Sequence, residues 1–85
     1  MDVCAGGTVS VGVNSISFTN HHSADCTITS CNMPGWPTTN PVIPKKVGST
    51  PGTGTVQLSQ SATAGTYPYT PNCCDKETPP AIKVQ

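Results

Sequence analysis

Only 14 of the 85 residues are Leu, Ile, Val or Phe, too few large apolar side chains to build a sizeable core. A chain this short recovers only about 60% of its unfolded surface on folding, so cross-links or a metal usually supplement burial. Five cysteines, at positions 4, 26, 31, 73 and 74, are the evident source of cross-links. Thiols used as staples need an oxidising compartment, so the cysteine content points to a secreted or periplasmic protein. Met1-Asp2-Val3 has neither the basic start nor the apolar core of a signal peptide, and the chain reads as a mature one behind an added Met1.

Charge excludes several partners. The formal net charge is zero, with no Arg and four Lys, at 45, 46, 76 and 83. No surface of this chain can neutralise a run of phosphates, so nucleic acid is not an expected partner. No apolar stretch approaches the roughly 18 residues of a membrane span, nor is there a Lys-rich amphipathic helix, so membrane insertion is not expected. Disordered chains combine low apolar content with high net charge; here the charge is nil and β-branched residues are plentiful, which points to one folded domain over residues 1–85.

Apolar and polar residues alternate at period two from Thr8 to Val13 (Val9, Val11, Val13) and from Ser15 to Asn20 (Ile16, Phe18). With turn chemistry at Gly12 to Asn14 between them, the two segments predict an antiparallel hairpin. Cys26 to Ser30 predicts a third strand, with Cys26 and Ile28 on one face. Prolines 34, 37, 41, 44 and 51 forbid helix and central strand over residues 32–54, leaving a long loop with an edge strand near Val42 and Ile43. Thr55 to Gln60, Thr66 to Thr70 and Ala81 to Gln85 complete the set. Six or seven short strands with Gly/Pro turns and no helical period argue a β-sandwich or barrel.

Two segments resemble the cupredoxins, the family of plastocyanin-type copper proteins. Phe18-Thr-Asn-His-His-Ser-Ala-Asp-Cys26-Thr-Ile28 is similar to the family's strand ending in Asn that leads to the first copper-binding His. Gly65-Thr-Tyr67-Pro-Tyr69, followed by Cys73, Cys74 and the strand Ile82-Lys-Val84, is similar to its second ligand segment and last strand. The resemblance covers about half the chain and implies an all-β, small antiparallel Greek-key sandwich. The ligands themselves are absent: Cys26 stands in place of the first His, Pro71 of the Cys, Cys74 of the second His and Pro79 of the Met, so no type 1 copper site is expected. Because the family's two His side chains converge on one metal, the resemblance implies that Cys26 and Cys74 approach one another and bond. That link closes a loop of about 50 residues and restricts the unfolded chain by about 4 kcal/mol.

Five cysteines leave at least one unpaired. Adjacent Cα atoms lie about 3.8 Å apart, below the disulfide range, so Cys73 and Cys74 are not expected to bond to each other. Cys4 precedes the first strand of the expected hairpin, which places it near the same end as Cys26 and Cys73 and makes it the candidate for a second pair with Cys73. Cys31 lies about 16 Å beyond Cys26 in an extended strand and is the candidate odd thiol.

The two imidazoles, His21 and His22, sit on a polar loop with Asp25. They read as solvated loop side chains, or, in a metal-binding alternative, as copper or zinc ligands together with Cys26 and Cys74 thiolates. Disulfide and metal compete for the same sulfurs. Ser23, Asp25 and the histidines are near in sequence, but nothing marks an oxyanion hole or a third orienting group, so no catalytic residues are assigned. Asp75 and Glu77, with Lys76 between them, read as solvated turn residues. Trp36, in Pro34-Gly35-Trp36-Pro37, reads as a cap on an open end of the sandwich shared with Tyr67 and Tyr69, or as an exposed contact for a partner or sugar. Ser and Thr number 21, and this hydroxyl-rich, nearly uncharged surface suits an extracellular module. The expected function is a non-catalytic secreted module with a structural, binding or assembly role, its partner an unidentified protein or another copy; the alternative is copper or zinc binding and electron transfer.

Overall fold

Inward-facing residues at every second position place Ile16, Phe18 and Asn20 on one side of β2 (Ser15–Asn20), and the same alternation buries Cys26 and Ile28 in β3 (Cys26–Cys31). The computed structural model describes residues 1–75 and 78–85, so Lys76 and Glu77 lie outside the described residues; Asp75 is exposed. The remaining strands are β1 (Gly7–Val9), β4 (Val42–Ile43), β5 (Gly52–Gln57), β6 (Gly65–Pro71) and β7 (Ala81–Val84). They form a five-stranded sheet in the order β1-β7-β6-β3-β4 and a two-stranded sheet of β2 with β5. All pairs are antiparallel except β1 with β7.

Between the two sheets lies the core, with Ile16, Phe18 and Val56 from the small sheet facing Ile28, Tyr69, Ile82 and Val84 from the large one. Phe18 and Tyr69 meet edge to face across it, ring centroids 5.6 Å apart. Val3, Met33, Leu58 and Ala62 close it from the loops. The architecture is all-β and mostly antiparallel, consistent with a small Greek-key β-sandwich of the cupredoxin-like kind.

The expected hairpin of residues 8–20 does not form. Strand β1 ends at Val9 and runs parallel to β7, while β2 lies in the other sheet against β5. The chain changes sheets through a turn at Gly12, whose φ of +95° suits glycine; its amide donates to the Ala62 carbonyl. Val11, placed by the alternation on the core face, is 55% exposed. Period two marks a half-buried strand but not its neighbour, so it cannot separate a hairpin from a crossing between layers.

Strand β5 starts three residues earlier than its apolar pattern suggests, at Gly52. Glycine has poor strand propensity, but a Cβ at position 52 would collide with the Pro44 carbonyl oxygen, so only glycine lets β5 pass the chain that leaves β4. Leu58 lies just past the strand, its amide donating to the Asn14 carbonyl.

Tyr69, assigned by the sequence to an end cap, is instead one of the largest fully buried side chains. Its hydroxyl donates to the Val3 carbonyl at 2.8 Å, tying the N-terminal segment to β6. Burial raises its pKa well above the ordinary tyrosine value. Tyr69→Phe is expected to lower stability by about 1–2 kcal/mol in urea unfolding, the cost of leaving a buried carbonyl without its donor. Because the folded-state pKa is the higher one, the unfolded chain loses its proton first: Tyr69 stabilises the fold fully below about pH 10 and the contribution fades as pH rises beyond it. Stability measured at pH 9 and pH 11 should therefore fall less in Tyr69→Phe than in the parent.

Candidate functional site

The N-terminal segment runs beside β2, with Val3 donating to the Thr19 carbonyl at 3.0 Å and Thr19 to the Met1 carbonyl at 2.8 Å. A turn follows at once: the Asp2 carboxylate accepts from the Cys4 amide at 2.8 Å, and the Asp2 carbonyl accepts from the Ala5 and Gly6 amides. Gly6 completes it with a φ of +72°, where a Cβ would meet the Ala81 carbonyl oxygen. These contacts aim Cys4 at the end of the sandwich where β2 ends and β3 begins.

Asn20, the last residue of β2, is fully buried and organises the next loop. Its Nδ2 donates to the carbonyls of Ala24 at 3.0 Å and Ile43 at 3.1 Å, and its Oδ1 accepts from the His22 amide at 2.8 Å. The loop leaves His21 exposed and holds His22 half-buried, with Nε2 3.1 Å from Cys4 Sγ. On the other side, Asn72 clamps the turn after β6 onto β3. Its Oδ1 accepts from the Thr27 amide at 2.9 Å while its own amide donates to the Thr27 carbonyl at 3.0 Å.

Cys73 and Cys74 follow directly, and each bonds to a different partner. Cys4 is joined to Cys74 (Cα–Cα 5.6 Å) and Cys26 to Cys73 (Cα–Cα 5.0 Å). The four cysteines expected to be staples converge here, but the expected pairing, Cys26 with Cys74 and Cys4 with Cys73, is corrected to the crossed one. Consecutive side chains point different ways: with Asn72 fixed on Thr27, Cys73 reaches the buried Cys26 at the start of β3, and Cys74 reaches the N-terminal turn. Alignment to a family motif locates the place where chains converge, but a one-residue step within an adjacent pair decides the bonds. The sulfurs remain crowded, with Cys73 Sγ 3.9 Å from Cys4 Sγ and 3.6 Å from Cys74 Sγ.

Cys31 is the free cysteine. It sits half-buried at the far end of β3, past a register irregularity between Ile28 and Cys31, and lines a groove of about 500 Å³ with Thr29, Ser30 and Trp36. Burial raises its pKa, opposed by a hydrogen bond to the Met33 backbone. A raised pKa lowers the thiolate fraction at neutral pH, so iodoacetamide should alkylate Cys31 several-fold more slowly in the folded chain than in urea. Equal rates would contradict its burial. Trp36, also half-buried, packs against the core and separates this groove from a second of about 470 Å³ beside Leu58.

The metal alternative named His21, His22, Cys26 and Cys74. Of these the structure groups His22 and Cys74 with Cys4 and Cys73, their donor atoms all within 4.8 Å of one another, while His21 points to solvent and Cys26 is buried within β3. The three sulfurs of that group are in disulfides rather than available as thiolates. At the copper positions implied by the family, Cys26 and Cys74 are bonded to other cysteines and Pro71 and Pro79 offer no side-chain donor, so type 1 copper does not fit these residues. A compact all-β domain whose His/Cys cluster is occupied by disulfides is consistent with a cupredoxin-like fold lacking the type 1 copper ligands. Ser23 and Asp25 are exposed, and the Asp25 carboxylate accepts from the Lys45 amide at 3.0 Å.

Sequence reasoning missed the Cys4 to His22 contact and the two asparagine clamps. Asn20 had a visible signal as a polar residue in the inward position of an alternating strand; the position of Cys4 depends on a parallel strand pairing across the whole chain. No family model, curated protein or solved structure matches the chain.

Proposed function

We propose that the chain is a non-catalytic, disulfide-stapled β-sandwich module of an extracytoplasmic compartment, with a structural, binding or assembly role rather than electron transfer. The observation that carries this reading is the pairing of four cysteines at the end of the sandwich where the family it resembles holds copper. The staples join the N-terminal turn, the start of β3 and the turn after β6, the segments that a small core would hold least well. A surface rich in Ser and Thr with few charges supports contact with a neighbour through hydroxyls and backbone rather than through ion pairs.

Counting thiols and metal in the protein isolated from an oxidising compartment tests the reading. One alkylatable thiol per unfolded chain, without stoichiometric copper or zinc, supports it. Five thiols together with a thiolate-to-copper absorption band that disappears in His22→Ala would overturn it in favour of a metal protein.

A further inference from the structure

The two disulfides differ in access. Each pairs a buried cysteine, Cys4 or Cys26, with a half-buried one, Cys74 or Cys73, but Cys4 and Cys74 also line a cleft of about 270 Å³ with Asp2, His22 and Asp75. Within the Cys4–Cys74 bond the sulfurs differ too. Cys4 is only 8% exposed and has His22 Nε2 at 3.1 Å, while Cys74 is half-buried beside the opening. An incoming thiolate therefore has Cys74 Sγ as its accessible target, and the sulfur it displaces is the one already supplied with a hydrogen-bond partner. A held leaving sulfur departs faster.

We propose that this cleft is a thiol-exchange site, where a low-molecular-weight thiol attaches to Cys74 and is released again by rearrangement of the four sulfurs. In the first step the external thiolate bonds to Cys74 Sγ, the Cys4–Cys74 bond breaks, and its electron pair goes to Cys4 Sγ beside His22. Cys4 Sγ, 3.9 Å from Cys73 Sγ, then bonds to Cys73, breaking Cys26–Cys73 and leaving the pair on Cys26 Sγ. Cys26 Sγ lies outside the group of donor atoms within 4.8 Å of one another and must turn toward Cys74 for the last step, past Cys73, whose sulfur is 3.6 Å from that of Cys74. It bonds to Cys74 and expels the external thiolate. Two disulfides are present at the start and at the end, no electron is gained or lost, and the thiol is regenerated. The product pairs Cys4 with Cys73 and Cys26 with Cys74.

The proposal rests on the stapled reading, so the thiols are counted before any exchange is attempted; five free thiols would refute that reading and leave nothing to exchange. Cys31→Ser, in which the odd thiol cannot interfere, is treated with reduced glutathione, quenched in acid at intervals and digested without reduction. Fragmentation by electron transfer then cleaves between Cys73 and Cys74 to assign each sulfur. The expected result is a single glutathione adduct on Cys74 at early times, followed by peptides joining Cys4 to Cys73, while far-UV circular dichroism stays native. His22→Ala should form the adduct about tenfold more slowly, as expected for losing a hydrogen bond to a charged sulfur. Its adducts should also divide between Cys4 and Cys74, a change of site that a general loss of stability would not cause. Adducts on all four cysteines at the rate of global unfolding, no adduct on the folded chain, or an unchanged site and rate in His22→Ala would each overturn the proposal.

Discussion

Reduction of both disulfides is expected to unfold this chain at 25 °C. The Cys26–Cys73 bond spans 47 residues and the Cys4–Cys74 bond 70, and the first is nested within the second. In the chain-entropy account, closing the inner loop contributes about 4 kcal/mol. With that loop closed, the outer bond adds only the segments left over, residues 4–26 and 73–74, and contributes about 3 kcal/mol. A domain of this length has a net stability of about 4–13 kcal/mol, and losing about 7 cancels the lower half of that range, where a chain with so few large apolar side chains falls. Near-ultraviolet circular dichroism and Trp36 fluorescence, recorded with and without a phosphine reductant, read the transition. A reduced chain that keeps its native spectra would show that the core suffices alone. Removing the inner bond by itself, in Cys26→Ala with Cys73→Ala, leaves the outer loop of 70 residues closed, so it should cost about 3 kcal/mol and lower the melting temperature by about 15 °C.

Asn20→Ala is the second large effect. The side chain satisfies two carbonyls and one amide, and all three partners are backbone groups that cannot be redesigned away with it. Truncation leaves the Ile43 carbonyl buried without a donor, opens space at a fully buried position and releases the loop that holds His22. Each orphaned buried group costs about 1–3 kcal/mol, and the sum should reach about 3–4 kcal/mol in urea unfolding. Asn20→Leu, which restores volume but no hydrogen bond, should recover little of this. A loss under about 1 kcal/mol for either variant would mean that water takes over the three bonds.

The local pattern of this chain was largely readable from its residues, and its long-range arrangement was not. Ile16 and Phe18, Cys26 and Ile28, and Ile82 and Val84 each declare a buried face through alternation, and all six are buried. Prolines 34, 37, 41, 44 and 51 leave Val42–Ile43 as a two-residue edge strand, but β5 enters the stretch expected to be loop at Gly52. What failed was adjacency: Val9 pairs with Val84 at the other end of the chain instead of folding back on Ile16, because strand periodicity carries no information about the partner. The site followed the same division. That Cys26, Cys73 and Cys74 converge was legible from the two motif-like segments, and Cys4 was placed with them only through the hairpin that does not form, whereas who bonds to whom depended on the side-chain directions of two consecutive residues. The contact of His22 with Cys4 lay further out of reach, since it needs the N-terminal turn, the parallel β1–β7 pairing and the Asn20 clamp together.

The nesting of the two bonds sets a schedule for biosynthesis. Both native disulfides join an early cysteine to the adjacent pair Cys73 and Cys74, and β1 has no neighbour in its sheet until β7 has been made. While the ribosome or translocon still holds residues beyond position 72, the cysteines that have emerged are 4, 26 and 31, and every bond that can form among them is non-native. In the oxidising compartment proposed above, early oxidation is therefore an error to be undone, and the yield of native protein depends on how quickly thiol–disulfide exchange reopens such links once Cys73 and Cys74 arrive.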